Sequence, residues 1–152
     1  MENFVAWFGP VDDLLAQNVL SAPLIAYLLL GLVVLNMIGR ALEYKQHQSQ
    51  AASGDWRDVT RHPLRVGTNF LLVVGAFYYM TIAHHGGLVF STLVVSVFLT
   101  DLFEFESRQV EVRNDRELTA PKGAVTASVF ALAYILFQTF FFVVAPFWSQ
   151  VV

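Results

Sequence analysis

Residues 66–100 read VGTNFLLVVGAFYYMTIAHHGGLVFSTLVVSVFLT, 35 positions without a charged side chain. A helix crossing the hydrocarbon of a bilayer needs about 20 largely apolar residues, so this run is too long for one crossing. It is also interrupted by His84-His85-Gly86-Gly87. A double glycine weakens helix and favours a turn, and imidazoles prefer water. The stretch therefore reads as two antiparallel helices, about 66–83 and 88–105, joined by a four-residue turn. Outward from it, residues 14–39 form a second uncharged run, and after Lys122 no charged side chain appears at all. These give crossings at about 21–42 and 121–145. The first opens at Ser21-Ala22-Pro23, where serine can cap free amides and proline suits the first turn. Residues 23–42 span about 30 Å as helix. The last opens at Thr119-Ala120-Pro121 and stops at Pro146, with Phe147 and Trp148 placed as interfacial aromatics. The expected fold is all-α: a four-helix transmembrane bundle forming one integral membrane domain over residues 1–152.

Composition agrees. The 152 residues are 56% hydrophobic and only 14% charged, where about 25% charged is usual for a soluble domain. A soluble bundle should also show a polar stripe along each helix, and residues 28–35 and 137–145 are apolar nearly all round. The net charge is −3 with nine basic residues, which makes nucleic acid a poor partner. There is no cysteine, which excludes disulfides, thiol chemistry and thiolate metal sites.

All nine basic side chains fall between crossings. Arg40, Lys45, Arg57, Arg61 and Arg65 flank or occupy the loop 43–65; Arg108, Arg113, Arg116 and Lys122 flank or occupy the loop 106–120. The positive-inside rule puts both loops in the cytoplasm of a cell membrane and both termini outside. Both loops reach one side only if an even number of crossings separates them, which independently supports the split at residues 84–87. A cleaved signal peptide is not expected, because the amino end carries Glu2, Asp12 and Asp13 and no basic segment.

Residues 1–20 read as an interfacial segment: Phe4, Val5, Trp7 and Phe8 are apolar, Gly9-Pro10 is a break, and a helix follows over about 11–20, hinged at Pro23. A longer first crossing competes with it evenly. In the loop 43–65, residues 46–54 read as flexible, followed by a short amphipathic helix over 55–61 with Trp56 as a headgroup anchor. Glu104 with Arg108 and Arg113 with Glu117 have the i,i+4 spacing that supports helix, whereas residues 109–112 alternate as a strand would. The reading favours a cytoplasmic extension of the third helix to about Arg113 over a hairpin.

Several polar residues have a pattern. Thr92, Ser96, Thr100, Glu104 and Arg108 follow one another at intervals of four and line one face of the third helix. Inter-helix packing explains Thr92 and Ser96 better than a conduction path, which should contain an ionisable group deep in the membrane. Gln138, deep in the fourth crossing, reads as an inter-helix hydrogen-bonding amide. Asn36, Asn69 and Thr100 lie at similar depth, each within four residues of a charge: Arg40, Arg65 and Asp101. A structural polar cluster at the inner rim is expected from these six, with Asp101 paired to Arg40 or Arg65. The alternative is that all six reach headgroup water.

Candidate chemistry is thin. His84 and His85 are weak metal candidates, since no third ligand has a fixed spacing to them. Haem is disfavoured because His47, His62, His84 and His85 all fall in loops of this reading. Asp101, Glu104 and Glu106 do not share one helical face for a divalent cation. No nucleophile–base pair, P-loop or GxGxxG is present, so neither a catalytic residue nor a cofactor is expected.

Seven of the nine basic residues are arginine and acids outnumber bases. With TDLFEFESR at 100–108, RNDR at 113–116 and PKGA at 121–124, the chain resembles small uncharacterised polytopic membrane proteins of halophilic archaea. That resemblance implies no activity. The expected function is a non-enzymatic scaffold or accessory subunit of a membrane complex, its partners the lipid bilayer and either another protein or copies of itself. A small oligomeric transporter or channel is the alternative.

Overall fold

The computed structural model describes residues 2–148, with side chains over residues 9–146. Helix α1 spans Glu2–Leu15, and a minimal antiparallel hairpin follows, β1 Asn18–Val19 and β2 Ala22–Pro23. Four long helices complete the fold: α2 Leu24–Ala51, α3 Pro63–Ile82, α4 His84–Arg113 and α5 Lys122–Trp148. They pack as a ring in which α2 and α4 each touch both α3 and α5. The fold is all-α apart from the hairpin. Among the described residues three helices, α2, α4 and α5, are long and apolar enough to cross a membrane.

The interior is built from small and aliphatic residues facing inward at helical spacing. Ala26, Leu29, Ala76, Tyr79, Phe90, Ala131 and Ile135 are all but inaccessible. Ala124 and Ser128 extend this small face of α5. The outer surface also carries many large apolar side chains: Phe70, Phe103 and Phe130 are 66%, 68% and 62% exposed. Large apolar patches on a monomer mark surfaces that meet a membrane or another protein.

Several local expectations are corrected. The turn between α3 and α4 is not His84–Gly87 but the single residue Ala83, and both histidines sit exposed in the first turn of α4. The glycines serve approach rather than reversal. A Cβ on Gly87 would lie 2.2 Å from the Cα of Met80, and one on Gly86 would lie 3.2 Å from the Gln138 carboxamide.

Pro10 does not begin a helix; it lies inside α1, which ends at Leu15. The expected helix over 11–20 is therefore displaced by the hairpin, whose turn holds Leu20 at φ 62°. Ser21 does not cap α2. Its hydroxyl donates instead to the Thr139 carbonyl at 3.1 Å, as does that of Tyr27 at 3.1 Å. Thr139 precedes Phe140, whose dihedrals leave the helical range (φ −111°, ψ 20°). A hydroxyl drawn into the backbone ladder is a recognised cause of a kink.

The stretch 46–54 is not a flexible loop. α2 runs unbroken to Ala51 because Gln50 both donates to the Thr60 hydroxyl (2.9 Å) and accepts from its amide (3.1 Å). The amphipathic helix expected over 55–61 shrinks to one 3₁₀ turn, Trp56–Asp58, capped by the Asp55 carboxylate. α4 continues as one helix to Arg113, which leaves Glu117 beyond its end and the proposed Arg113–Glu117 helical pair unformed. The side chains of Phe4, Val5, Trp7, Phe8, Phe147 and Trp148 lie outside the described residues.

Candidate functional site

Where α2 ends, α3 begins, α4 passes and α5 begins, polar side chains replace the apolar core. Asp101 is the hub. Its Oδ1 accepts from Arg65 Nη2 at 2.7 Å and Nε at 3.0 Å, and its Oδ2 accepts from Asn69 Nδ2 at 2.9 Å. Arg61 Nη1 reaches Oδ2 at 3.1 Å, and Arg40 Nη1 stands 3.8 Å from Oδ1. Arg65 also donates to the Asn36 backbone carbonyl at 3.0 Å and to its side-chain oxygen. The Asn36 amide in turn donates to Asn69 Oδ1 (2.7 Å) and the Thr68 hydroxyl (3.0 Å).

Five of the six residues expected at the inner rim thus meet: Asn36, Asn69, Asp101, Arg40 and Arg65. Thr100 does not join them. Its hydroxyl bonds the Ser96 carbonyl of its own helix at 2.8 Å. Thr92 and Ser96 are likewise exposed and bonded to their own backbone, away from the helix contacts that their spacing implied. Gln138 donates to the Tyr134 hydroxyl, four residues back on α5, at 3.0 Å.

The network reaches further than the sequence reading placed it. Glu104 pairs with Arg40 at 3.4 Å through one oxygen, while the other accepts the Ala124 amide at 2.9 Å and so caps the first turn of α5. Glu43 accepts the His62 backbone amide at 3.0 Å and lies 3.9 Å from Arg65. Arg40 Nη2 donates to the Ser128 hydroxyl at 3.3 Å.

His47 is wholly buried between Thr60 and Arg108. Its Nε2 meets the Thr60 carbonyl at 2.9 Å, and its Nδ1 faces Arg108 Nη1 at 2.9 Å. A carbonyl requires a donor and a guanidinium requires an acceptor, so the imidazole is neutral with its proton on Nε2. His47 lies eight residues past the last uncharged position of its run, outside the apolar part of α2. Burial pushes its imidazole below the ordinary 6.5, against the opposing pull of the Thr60 carbonyl and Glu43.

A periodic signal marked these residues. Asn36, Arg40, Glu43 and His47 are spaced four, three and four apart, which puts them on one face of a helix. That stripe is visible only if α2 is extended to residue 47.

Isolated buried charges are prohibitively costly, but mutual pairing with every remaining hydrogen-bond site filled makes them tolerable. Here the filling is nearly complete. Among the described residues one buried side-chain nitrogen, Arg40 Nε, lacks a partner. Asp101, Glu104 and Glu43 are each engaged by a guanidinium, which leaves no open carboxylate set for a cation. Among the described residues no three His, Asp or Glu side chains converge as metal ligands, at His84 and His85 or elsewhere.

A model of one protein family matches residues 3–152, nearly the whole chain. The chain belongs to the DUF7313 family, a domain of unknown function. No curated protein and no solved structure matches it. For this DUF7313 chain, function rests on what the network and the surrounding surface can do.

Proposed function

We propose that this DUF7313 protein is a non-enzymatic integral membrane protein that crosses a cell membrane four times and serves as a scaffold or accessory subunit. The observation that carries this is the ionic network itself. It ties all four long helices together at one end of the ring, drawing charges from both basic loops, and consumes its carboxylates in holding the fold. α3 supports a fourth crossing by its length, about 30 Å for 20 residues, and by its place between α2 and α4. The clustering of all nine basic residues at that end supports cytoplasmic loops and external termini. Arginine-rich, acid-balanced composition supports a halophilic archaeal source.

One observation favours an oligomeric transporter instead: Thr92 and Ser96 are exposed and Thr100 half-buried along one line of α4, a polar strip that copies of the chain could share. Each hydroxyl already donates to a carbonyl of its own helix, which weighs against a conduction path.

The natural lack of cysteine makes the topology directly testable. Single cysteines at Lys45 and Arg113 should resist a membrane-impermeant maleimide in intact cells, and one at His85 should react. Labelling at 45 or 113 from outside would overturn the orientation. Stoichiometric recovery of a partner after crosslinking supports the subunit role. Solute flux in liposomes that is lost in Thr100→Val would replace that role with transport.

A further inference from the structure

Between α3 and α4 the outer surface is cut by a half-open groove of about 350 Å³, lined by Arg61, Val66, Asn69, Phe70, Phe98 and Leu102, with Val73 at its deep end. Along α3 the lining positions 66, 69, 70 and 73 follow helical spacing, so the groove runs about 10 Å from the charged end toward the middle of the ring. Its walls are almost entirely apolar. Arg61 stands at the charged end.

The charge count at that end is unequal. Four guanidiniums (Arg40, Arg61, Arg65 and Arg108) share three carboxylates (Glu43, Asp101 and Glu104). Arg40 and Arg65 each have a second carboxylate within 4 Å, Glu104 and Glu43. Arg61 has Asp101 alone among the described residues, and Asp101 is already held by Arg65 at 2.7 Å. Arg108 likewise has one carboxylate, Glu104 at 3.9 Å, but only 4% of its side chain is exposed, so the surplus positive charge that a ligand can reach lies on Arg61, with 24% exposed. Its guanidinium lies 4.3 Å from the centre of the Phe105 ring, which holds it at the groove's mouth.

We propose that this groove binds one anionic phospholipid, an acyl chain lying along Val66, Phe70, Phe98 and Leu102 and the headgroup phosphate at Arg61. The inference rests on the membrane reading above. It adds that one lipid is selected by charge complementarity at a defined seam. An apolar slot with a single under-neutralised arginine at the polar end matches a molecule with a long apolar tail and one anionic head.

The test uses the full chain, purified from membranes in mild detergent and mixed with phosphatidylglycerol or phosphatidylcholine, with bound lipid counted by native mass spectrometry. One phosphatidylglycerol per chain is expected, at least tenfold preferred over phosphatidylcholine. Arg61→Gln should abolish that preference and Arg61→Lys should keep most of it. Arg57→Gln removes the same charge from a residue stacked on Trp56 outside the groove, and should change binding less than twofold. Val66→Trp, at a position 48% exposed, should expel the chain with Arg61 intact, which keeps the proposal testable even if Arg61→Gln does not fold.

Equal binding of the two lipids would overturn the proposal, as would equal losses in Arg57→Gln and Arg61→Gln. Competition by soluble glycerol phosphate at equal concentration would overturn it too, by assigning Arg61 to a free anion. A chain that leaves the membrane fraction under alkaline carbonate would instead refute the membrane reading itself.

Discussion

The two ends of the helix ring are held by opposite means. At the basic end, directional bonds centred on Asp101 and Arg65 interlock α2, α3 and α4, and Arg40 ties in α5 through Ser128. At the other end close approach dominates: Gly87 lets α4 settle on the backbone of α3 at Met80, and the directional bonds there are few, such as those from the Ser21 and Tyr27 hydroxyls to one carbonyl of α5. Directional bonds specify which helix meets which. Close approach gains dispersion from many weak contacts and has no tolerance for added volume. In lipid, where no hydrophobic force drives helices together, both devices are available.

Breaking the polar end should cost most. Asp101→Asn leaves Arg61 and Arg65 facing an uncharged amide, so a loss of about 3–5 kcal/mol is expected, the range for breaking one partner of a buried pair. A thermal melt in detergent reads it, and an unchanged midpoint would mean that the cluster is solvated rather than structural. Next comes the shape-held end. Gly87→Ala must push α4 off α3 and should cost about 1–3 kcal/mol, with the loss reported by the same melt. A silent substitution would show that the two helices are not in backbone contact.

Acid should discriminate between the ends. A histidine whose native value is depressed adds stability that is complete above its unfolded pKa and lost as pH falls below it. His47 faces Arg108 at Nδ1, with Arg61 and Glu43 nearby. A proton on Nδ1 would set donor against donor. Stability should thus decline from about pH 6.5 downward, and His47→Gln should flatten that slope. An identical slope in the variant would remove His47 from the polar lock. The smallest effect belongs to Thr100→Val. Its hydroxyl serves only its own helix, so a change within about 0.5 kcal/mol is expected. A larger loss would enlarge the network to include it.

Much of this was legible beforehand, and the failures share one cause. The charge-free runs marked where long helices lie, and depth matching placed Asn36, Asn69 and Asp101 near one another. Glu43 and His47 escaped because charge next to an apolar run reads as loop, when it was helix with a polar stripe, and without His47 the partner of Arg108 was hidden as well. Their spacing was informative only after α2 was known to continue. The glycine pair misled for a similar reason: glycine permits both reversal and close packing, and only the neighbouring helix decides between them. The cap supplied by Glu104 joins residues twenty apart on different helices, a partnership that local pattern does not encode.

That cap has a bearing on biogenesis. The Ala124 amide in the first turn of α5 is completed by an oxygen belonging to the preceding helix, and the same carboxylate grips Arg40 on α2. A helix made after α2 and α4 therefore finds its starting point already furnished by them. Docking of α5 thus depends on α2 and α4 having met in register, and a misplacement of either would leave α5 without a proper beginning.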